Sequence, residues 1–298
     1  MHKVLVLLPT FNSEKYLSEL INSVLSQERI DLDLIIYDDG SKDGTLDLID
    51  KFCEENNSIS LIGRHKQRFG NPPESFNYLI HKTIETNYDY VALCDHDDIW
   101  HQNKLINAIE KIQELNVDGY SSDFYSYVPG KKSKYIKKSH KKTNWDFLFE
   151  SPGPGCTFVM TKPLAKSYTE FIETQKIVFE NFFFNHDWLI YAYARARNFR
   201  WFIDNNAYID YRQHHENHIG VNLGMMGFLK RLDAIRRREY RKTTIKIIDN
   251  LGINTPFYNF LNSVSYANNL RLIPYCLKFR RSKKDKLIFV LLLIMNLY

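Results

Sequence analysis

The chain has 298 residues, 44 % of them hydrophobic, and a formal net charge of +5. That supports one large α/β domain, or a domain with a helical appendage, and excludes a chain disordered throughout. Cys53, Cys94, Cys156 and Cys276 lie far apart with no C-x-x-C, which excludes a disulfide framework or zinc knuckle and fits reduced thiols in a cytosolic protein. Residues 3–9 predict a buried strand ended by Pro9, too short and too poor in cleavage signals for a signal peptide. Residues 13–27 carry helical apolar spacing (Tyr16, Leu17, Leu20, Ile21, Val24, Leu25), with Ser13 as N-cap. A second strand follows at 32–39, then a helix at 43–56 capped by Ser41 or Asp43. Strand 59–64, helix 73–86, strand 88–95 and helix 103–115 complete the series.

This alternation predicts a parallel sheet with helices on both faces, and such sheets bind ligands at the carboxyl ends of their strands. Polar clusters fall at those ends: Thr10 to Glu14, Asp38 to Ser41, and Asp95 to Asp98. Beyond residue 118 the pattern loosens. KKSKYIKKSHKK (131–142), with seven lysines in twelve residues, reads as a mobile loop. SPGPGCTFVMT (151–161) is a turn running into a strand. A helix is expected from about Asp187, one or two strands over 199–214, and helices from 225 onward.

In LCDHDDIW (93–100) an extended backbone puts Asp95 and Asp97 on one side, where two carboxylates can hold a hard divalent cation such as Mg²⁺ or Mn²⁺. A solvated acidic turn that caps a helix is the plainer alternative. In YDDGSKDGT (37–45) a strand-end Asp can accept the N3–H of uracil or thymine, a donor cytosine lacks; a capped turn is the alternative. GPGC (153–156) either shapes an acceptor loop or turns into a strand. Trp100 is expected in the core, whereas Trp188 could stack on a sugar ring. Phe182 to Phe184 could be core or line a greasy acceptor site. Three histidines in YRQHHENHIG (211–220) make no zinc site without further ligands, and His215 and His218 read as surface residues.

PTFN (9–12) with Glu14, DDGSKDGT (38–45) and DHDDIW (95–100), in this order and spacing, resemble the family 2 glycosyltransferases with the GT-A fold. NHDW (185–188) and YRQHHENHIG resemble the bacterial rhamnosyltransferase-like branch, which builds cell-surface polysaccharides such as O-antigen of lipopolysaccharide. The resemblance implies an α/β fold, a mostly parallel twisted sheet flanked by helices. It implies a GT-A domain over 1–222, with a nucleotide half (1–118) and an acceptor half (119–222), and a basic helical region over 223–298. The implied nucleotide-sugar site is Pro9, Thr10, Asn12, Glu14, Asp39, Ser41, Gly70, Asn77, Asp95 and His96, with Asp39 on the pyrimidine and Asp95 toward the ribose. Asp97 would bind the metal, with His214 as a further metal or diphosphate ligand. Asp187 would be the general base, and Gly155, Cys156 and Trp188 would face the acceptor. The Q-x-x-R-W motif of processive members is missing, which implies one sugar per encounter.

These roles describe an inverting, metal-dependent transfer from a dTDP- or UDP-sugar, dTDP-rhamnose among them, to a lipid-carried glycan. Other readings are a different UDP-hexosyltransferase, a nucleotide-sugar phosphohydrolase using the same carboxylates, and a non-catalytic assembly subunit. No run reaches the ~20 apolar residues of a membrane span. The terminal LIFVLLLIMNLY (287–298) comes nearest, and with KFRRSKKDK (278–286) before it predicts peripheral attachment at the inner face of the plasma membrane; packing on the domain is the alternative. Nucleic acid is not expected, because the basic runs lie apart from any binding module.

Overall fold

The computed structural model describes residues 1–63, 68–177, 186–214 and 225–298, with side chains except at 225–228, 230 and 231. The chain forms two compact units. The first joins Met1–Ser139, Gly153–Glu180 and Asn198–Arg212; the second joins His140–Pro152, Asn181–Arg197 and Gln213–Tyr298.

The first unit holds β1 (His2–Thr10), α1 (Glu14–Leu25), β2 (Ile30–Asp38), α2 (Thr45–Glu55), β3 (Ile59–Leu61), α3 (Pro72–Thr83) and β4 (Tyr90–Leu93). It continues with β5 (Ile99–Trp100), α4 (Lys104–Leu115), β6 (Gly119–Tyr127), β7 (Lys134–Ile136), β8 (Val159–Thr161), α5 (Lys162–Gln175) and β9 (Trp201–Arg212). The sheet order is β3-β2-β1-β4-β8-β6-β9-β5, with β7 on the side of β6. β3, β2, β1 and β4 are mutually parallel, as the alternation implies. β8 then runs antiparallel to both β4 and β6, and β9 runs parallel to β6. The β3-β2-β1-β4 half of the sheet is therefore parallel and the other half mixed.

Burial explains the parallel half. Val4 to Leu8 of β1 are all buried, as an inner strand with both faces covered requires. α1 presents Leu17, Leu20, Ile21 and Val24 inward. β1 does not stop at Pro9 but runs to Thr10. Cys94 N donates to Leu7 O, so residue 9 faces the same neighbour; pairing with β4 has already ended at Leu7–Leu93, and the missing proline N–H costs no ladder bond. Ser13 does not cap α1 with its side chain; its hydroxyl instead accepts from Phe11 N. Gly119 starts β6 against the Trp201 ring, where a Cβ would lie 2.2 Å from a ring carbon.

The lysine-rich segment is not a free loop. Lys134–Ile136 pairs with β6. Buried Asp123 takes the Tyr135 hydroxyl at 2.5 Å, the Ser139 hydroxyl at 2.7 Å, and the amides of Lys138 and Ser139. One desolvated carboxylate with four donors pins a segment whose composition signals only solvation.

The second unit holds α6 (His186–Ala196), α7 (Met225–Arg236), α8 (Glu239–Leu251), α9 (Tyr258–Asn262), α10 (Tyr266–Leu272), α11 (Cys276–Phe279) and α12 (Lys283–Ile294). Asp146, fully buried, receives Arg195 at 3.1 Å, Arg281 at 3.0 Å and the Tyr191 hydroxyl at 2.8 Å. That network gathers residues 140–152 and α6 with the C-terminal helices, a grouping that differs from a division at residue 222. Phe149 stacks on Phe279, and Phe289 meets Phe149 and Tyr298 edge to face. Among the described residues no helix is long and apolar enough to cross a membrane.

Candidate active site

The loops after β1 and β2 lock together through side chains that sequence places in a nucleotide pocket. Asp38 accepts from the Thr10 hydroxyl at 2.9 Å, the Ser41 hydroxyl at 2.5 Å, and the amides of Gly40 and Ser41. The Ser41 hydroxyl in turn accepts Asn12 N at 2.8 Å, and Asn12 Oδ1 accepts Lys42 N at 2.9 Å. Glu14 accepts Gly44 N at 3.0 Å. Thr10, Asn12, Glu14 and Ser41 thus build the rim by fixing one turn to the next. Pro9 is buried in β1 above the same turn.

Asp39 is 5 % exposed and receives Phe69 N at 2.6 Å and Gly70 N at 2.7 Å, one on each oxygen. The Tyr37 hydroxyl is a third donor to this carboxylate, which leaves one of its four lone-pair positions open. Gly70 adopts φ +77° with open space where a Cβ would stand. Beside it, Tyr37, Phe69 and Tyr78 form a ring triangle, and the Arg68 guanidinium lies 4.1 Å over Phe11. Burial and Asp39 push the Tyr37 phenol up to about 12, so it stays protonated. Asn77, on α3, has both amide atoms buried without a hydrogen-bond partner.

At the end of β4 the chain turns through His96 and Asp97 into β5. Asp97 and Asp98 are 5 % and 1 % exposed; Asp95 and His96 are half-buried. Asp95, Asp98 and Cys156 each bring a ligand atom within 4.8 Å of the others, a group that does not include Asp97. Cys156, on the turn that Gly155 begins before β8, therefore meets the acidic motif. Asp98 accepts Arg212 N on one oxygen at 3.1 Å, while the other is buried without a partner. Burial, then Asp97 and Asp95, raise its carboxyl well above the ordinary range. Crowded carboxylates, one with an orphaned oxygen, fit a hard cation. Burial, with the charges of Asp98 and Asp95, keeps the Cys156 thiol protonated.

Two residues not expected from the sequence hold this loop. Arg212, 4 % exposed, donates from Nε to Asp97 O at 2.8 Å and from Nη2 to Glu19 at 2.5 Å, its guanidinium over Tyr16 and Tyr127. Lys104, 2 % exposed, sits 3.5 Å over the Trp100 ring with no hydrogen-bond acceptor; burial pushes its ammonium down to about 8. The only local signal is the W-x-x-x-K spacing; nothing within a few residues of Arg212 marks it.

Asp187, Trp188 and His214 belong to the second unit. Asp187, in the first turn of α6, is 9 % exposed and accepts Trp188 N at 2.7 Å. Trp188 does not offer an open face for a sugar: it is 6 % exposed and its indole N–H goes to Phe147 O at 2.9 Å. Burial holds His186 down to about 3, and hence neutral. His214 is half-buried. Phe182 to Phe184, Asn185, His215 and His218 lie outside the described residues.

Solved structures share this architecture. *Staphylococcus aureus* TarS 1–349 in complex with UDP-GlcNAc aligns at TM-score 0.57 and 19 % identity, over 99 % of this chain and 82 % of that one. The mannosyltransferase PcManGT from *Pyrobaculum calidifontis*, in complex with GDP-Man and Mn²⁺, aligns at TM-score 0.56 and 15 % identity, over 90 % and 71 %. The fold is that of the GT-A glycosyltransferases. Residues 5–189 match the model of glycosyl transferase family 2. The dTDP-rhamnosyl transferase RfbG of *Shigella flexneri* is 35 % identical over 289 residues, 97 % of this chain and 99 % of that protein. Glycosyltransferase GlyG of *Streptococcus pneumoniae* is 27 % identical over 122 residues, 41 % of this chain and 39 % of that protein. The chain belongs to glycosyl transferase family 2 and is a glycosyltransferase.

Proposed function

We propose that this glycosyltransferase moves rhamnose from dTDP-rhamnose, with inversion, onto a lipid-carried cell-surface glycan at the cytoplasmic face of the membrane. The observation that carries a cation-assisted transfer is the acidic turn after β4, where Asp98 keeps a buried oxygen without a partner beside Asp95 and Cys156. The 35 % identity to RfbG over nearly the full length of both chains supports the deoxythymidine donor and the rhamnosyl group. Asp39 is aimed by Phe69, Gly70 and Tyr37 and keeps one lone-pair position for a pyrimidine N3–H.

Asp95, Asp97 and Asp98 of the acidic turn would hold Mg²⁺ or Mn²⁺, Asp95 and Asp98 having ligand atoms within 4.8 Å of one another. A cation held by these residues would supply Lewis-acid stabilisation of the departing diphosphate, worth several kcal/mol. Asp187 takes the proton of the acceptor hydroxyl as its oxygen forms the new bond to the sugar carbon. The bond from that carbon to the diphosphate breaks, and the diphosphate leaves with the electron pair. A positioned base contributes roughly 10²–10⁴-fold. One base and no covalent nucleophile give a single displacement, hence inversion. Gly155 and Cys156 would face the acceptor, a role supported by the approach of Cys156 to the acidic turn.

The test is sugar transfer from dTDP-rhamnose by the wild type, Asp97→Ala and Asp187→Ala. Both variants should lose at least ~10²-fold. Full turnover in both would overturn the assignment, and donor hydrolysis without any glycosylated product would point to a phosphohydrolase.

A further inference from the structure

The transfer reading places the acceptor on a lipid, and the inference here rests on that reading. α12 is apolar on every side over Leu287 to Ile294, a pattern expected of a helix enclosed by protein or lipid. Only one side is enclosed. Phe289 and Leu293 point inward, at 5 % and 0 % exposure, and pack with the aromatic cluster. Leu287, Ile288, Leu291, Ile294 and Met295 are 63, 43, 46, 45 and 55 % exposed. Their spacing of i, i+1, i+4, i+7 and i+8 puts all five on a single helical face. Contiguous exposed apolar side chains of this kind mark an interaction surface, whereas scattered ones do not.

The charge at one end identifies the occupant. Lys284 is one turn before Ile288, on the same face, and Lys283 is one turn before Leu287, at its edge. Both are exposed, and neither forms an ion pair among the described residues. α11, packed on α12, adds exposed Leu277 (71 %) and Lys278. The face thus joins an apolar stripe to free ammonium groups on long methylene stems. An anionic bilayer surface satisfies both at once: acyl chains take the leucines, and headgroup phosphates take the lysines. The α12 of a second copy would offer the stripe but only Asp285 as an anion for the lysines.

We propose that α12 is an interfacial helix that docks the protein on an anionic lipid surface, with Leu287, Ile288, Leu291, Ile294 and Met295 immersed and Lys283 and Lys284 at the phosphates. It lies in the plane of the membrane and does not cross it.

The experiment is sedimentation of the full chain with phosphatidylcholine vesicles, with and without phosphatidylglycerol. Wild type is compared with Leu291→Glu/Ile294→Glu and with Lys284→Glu. Melting temperature and transfer to a water-soluble acceptor are read alongside. Wild type should sediment with the anionic vesicles and largely stay behind with neutral ones. The double variant should bind at least about tenfold more weakly, and Lys284→Glu several-fold more weakly with less dependence on salt. Melting and soluble-acceptor turnover should not change. Wild type remaining in the supernatant with anionic vesicles, or a double variant that sediments like wild type, would overturn the proposal. A dimer that the double variant dissolves, with no vesicle binding, would overturn it in favour of a second copy. Vesicle binding that follows the predicted order without any sugar transfer would support the docking face and strike the transferase reading alone.

Discussion

Replacing Arg212 tests whether the acidic turn is held by hydrogen-bond geometry or by charge. Arg212 Nε donates to Asp97 O at 2.8 Å in a site where the residue is 4 % exposed. A hydrogen bond from a charged donor is worth about 1.5–3 kcal/mol, and its loss leaves a buried carbonyl unpaired. The ion pair to Glu19 contributes at most about 1 kcal/mol, because the Glu19 side chain is 56 % exposed. Stacking over Tyr16 and Tyr127, at 4.5 and 5.3 Å, adds about 0.5–2 kcal/mol. The Nε bond is therefore the largest single contribution. Arg212→Met should cost about 3–4 kcal/mol, or some 6–10 °C in melting temperature. Arg212→Lys keeps the charge but loses the donor at that position, and should cost nearly as much. Both free the Asp97 carbonyl, and a displacement of the turn near 1 Å should lower kcat/KM for the donor about 10²-fold. Arg212→Lys with wild-type melting and turnover would refute the reasoning and show that charge alone holds the turn.

Gly119→Ala should destabilise by about 1–3 kcal/mol, since its Cβ would stand 2.2 Å from the buried Trp201 ring; an unchanged melting temperature would contradict the β6–β9 packing. Asp146→Ala strands two arginines in the second unit and should cost about 3–5 kcal/mol, read by chemical denaturation; a loss under 1 kcal/mol, on the order of an exposed pair, would contradict the buried network. Lys104→Met should raise the stability of the cation-free protein at neutral pH. Burial holds Lys104 at about 8, against 10.5 in the unfolded chain, equivalent to an upper limit of roughly 3 kcal/mol. Because the folded value is the lower one, the unfolded chain binds the extra proton between the two values, and wild-type stability gains as pH rises through that window. The advantage of the variant should shrink accordingly in alkaline melts; a variant less stable than wild type near neutrality would contradict it.

The parallel half of the sheet and the loops at its carboxyl ends are legible in sequence because their causes are local. Apolar runs such as Val4 to Leu8 alternate with helical spacing, and the polar clusters follow strand ends directly. Asp39 and the acidic turn are found this way, as is the start of α6 near Asp187. What escapes depends on distant partners. Arg212 acts on Asp97, 115 residues away, with no local pattern to announce it. The lysine-rich segment reads as a loop by composition, but Asp123, twelve to sixteen residues earlier, anchors it. Trp188 reads as a possible sugar platform, and only its bond to Phe147 O, 41 residues back, shows it packed away. Asn12 and Glu14 stand at the expected rim, yet their side chains fasten the neighbouring turn.

The central claim is that the turn after β4 and the Asp39 loop together bind a cation and a pyrimidine nucleoside diphosphate. Thermal shift of the wild type with dTDP, UDP and CDP, each with and without Mn²⁺, tests it most directly. Ligand at about 100 times its Kd should add about 2.7 kcal/mol to stability. dTDP and UDP should raise the melting temperature with Mn²⁺ and much less without it, CDP should leave it in place, and Asp97→Ala should abolish the Mn²⁺ dependence. Equal shifts with CDP would contradict the Asp39 assignment, and shifts indifferent to Mn²⁺ would contradict the cation site.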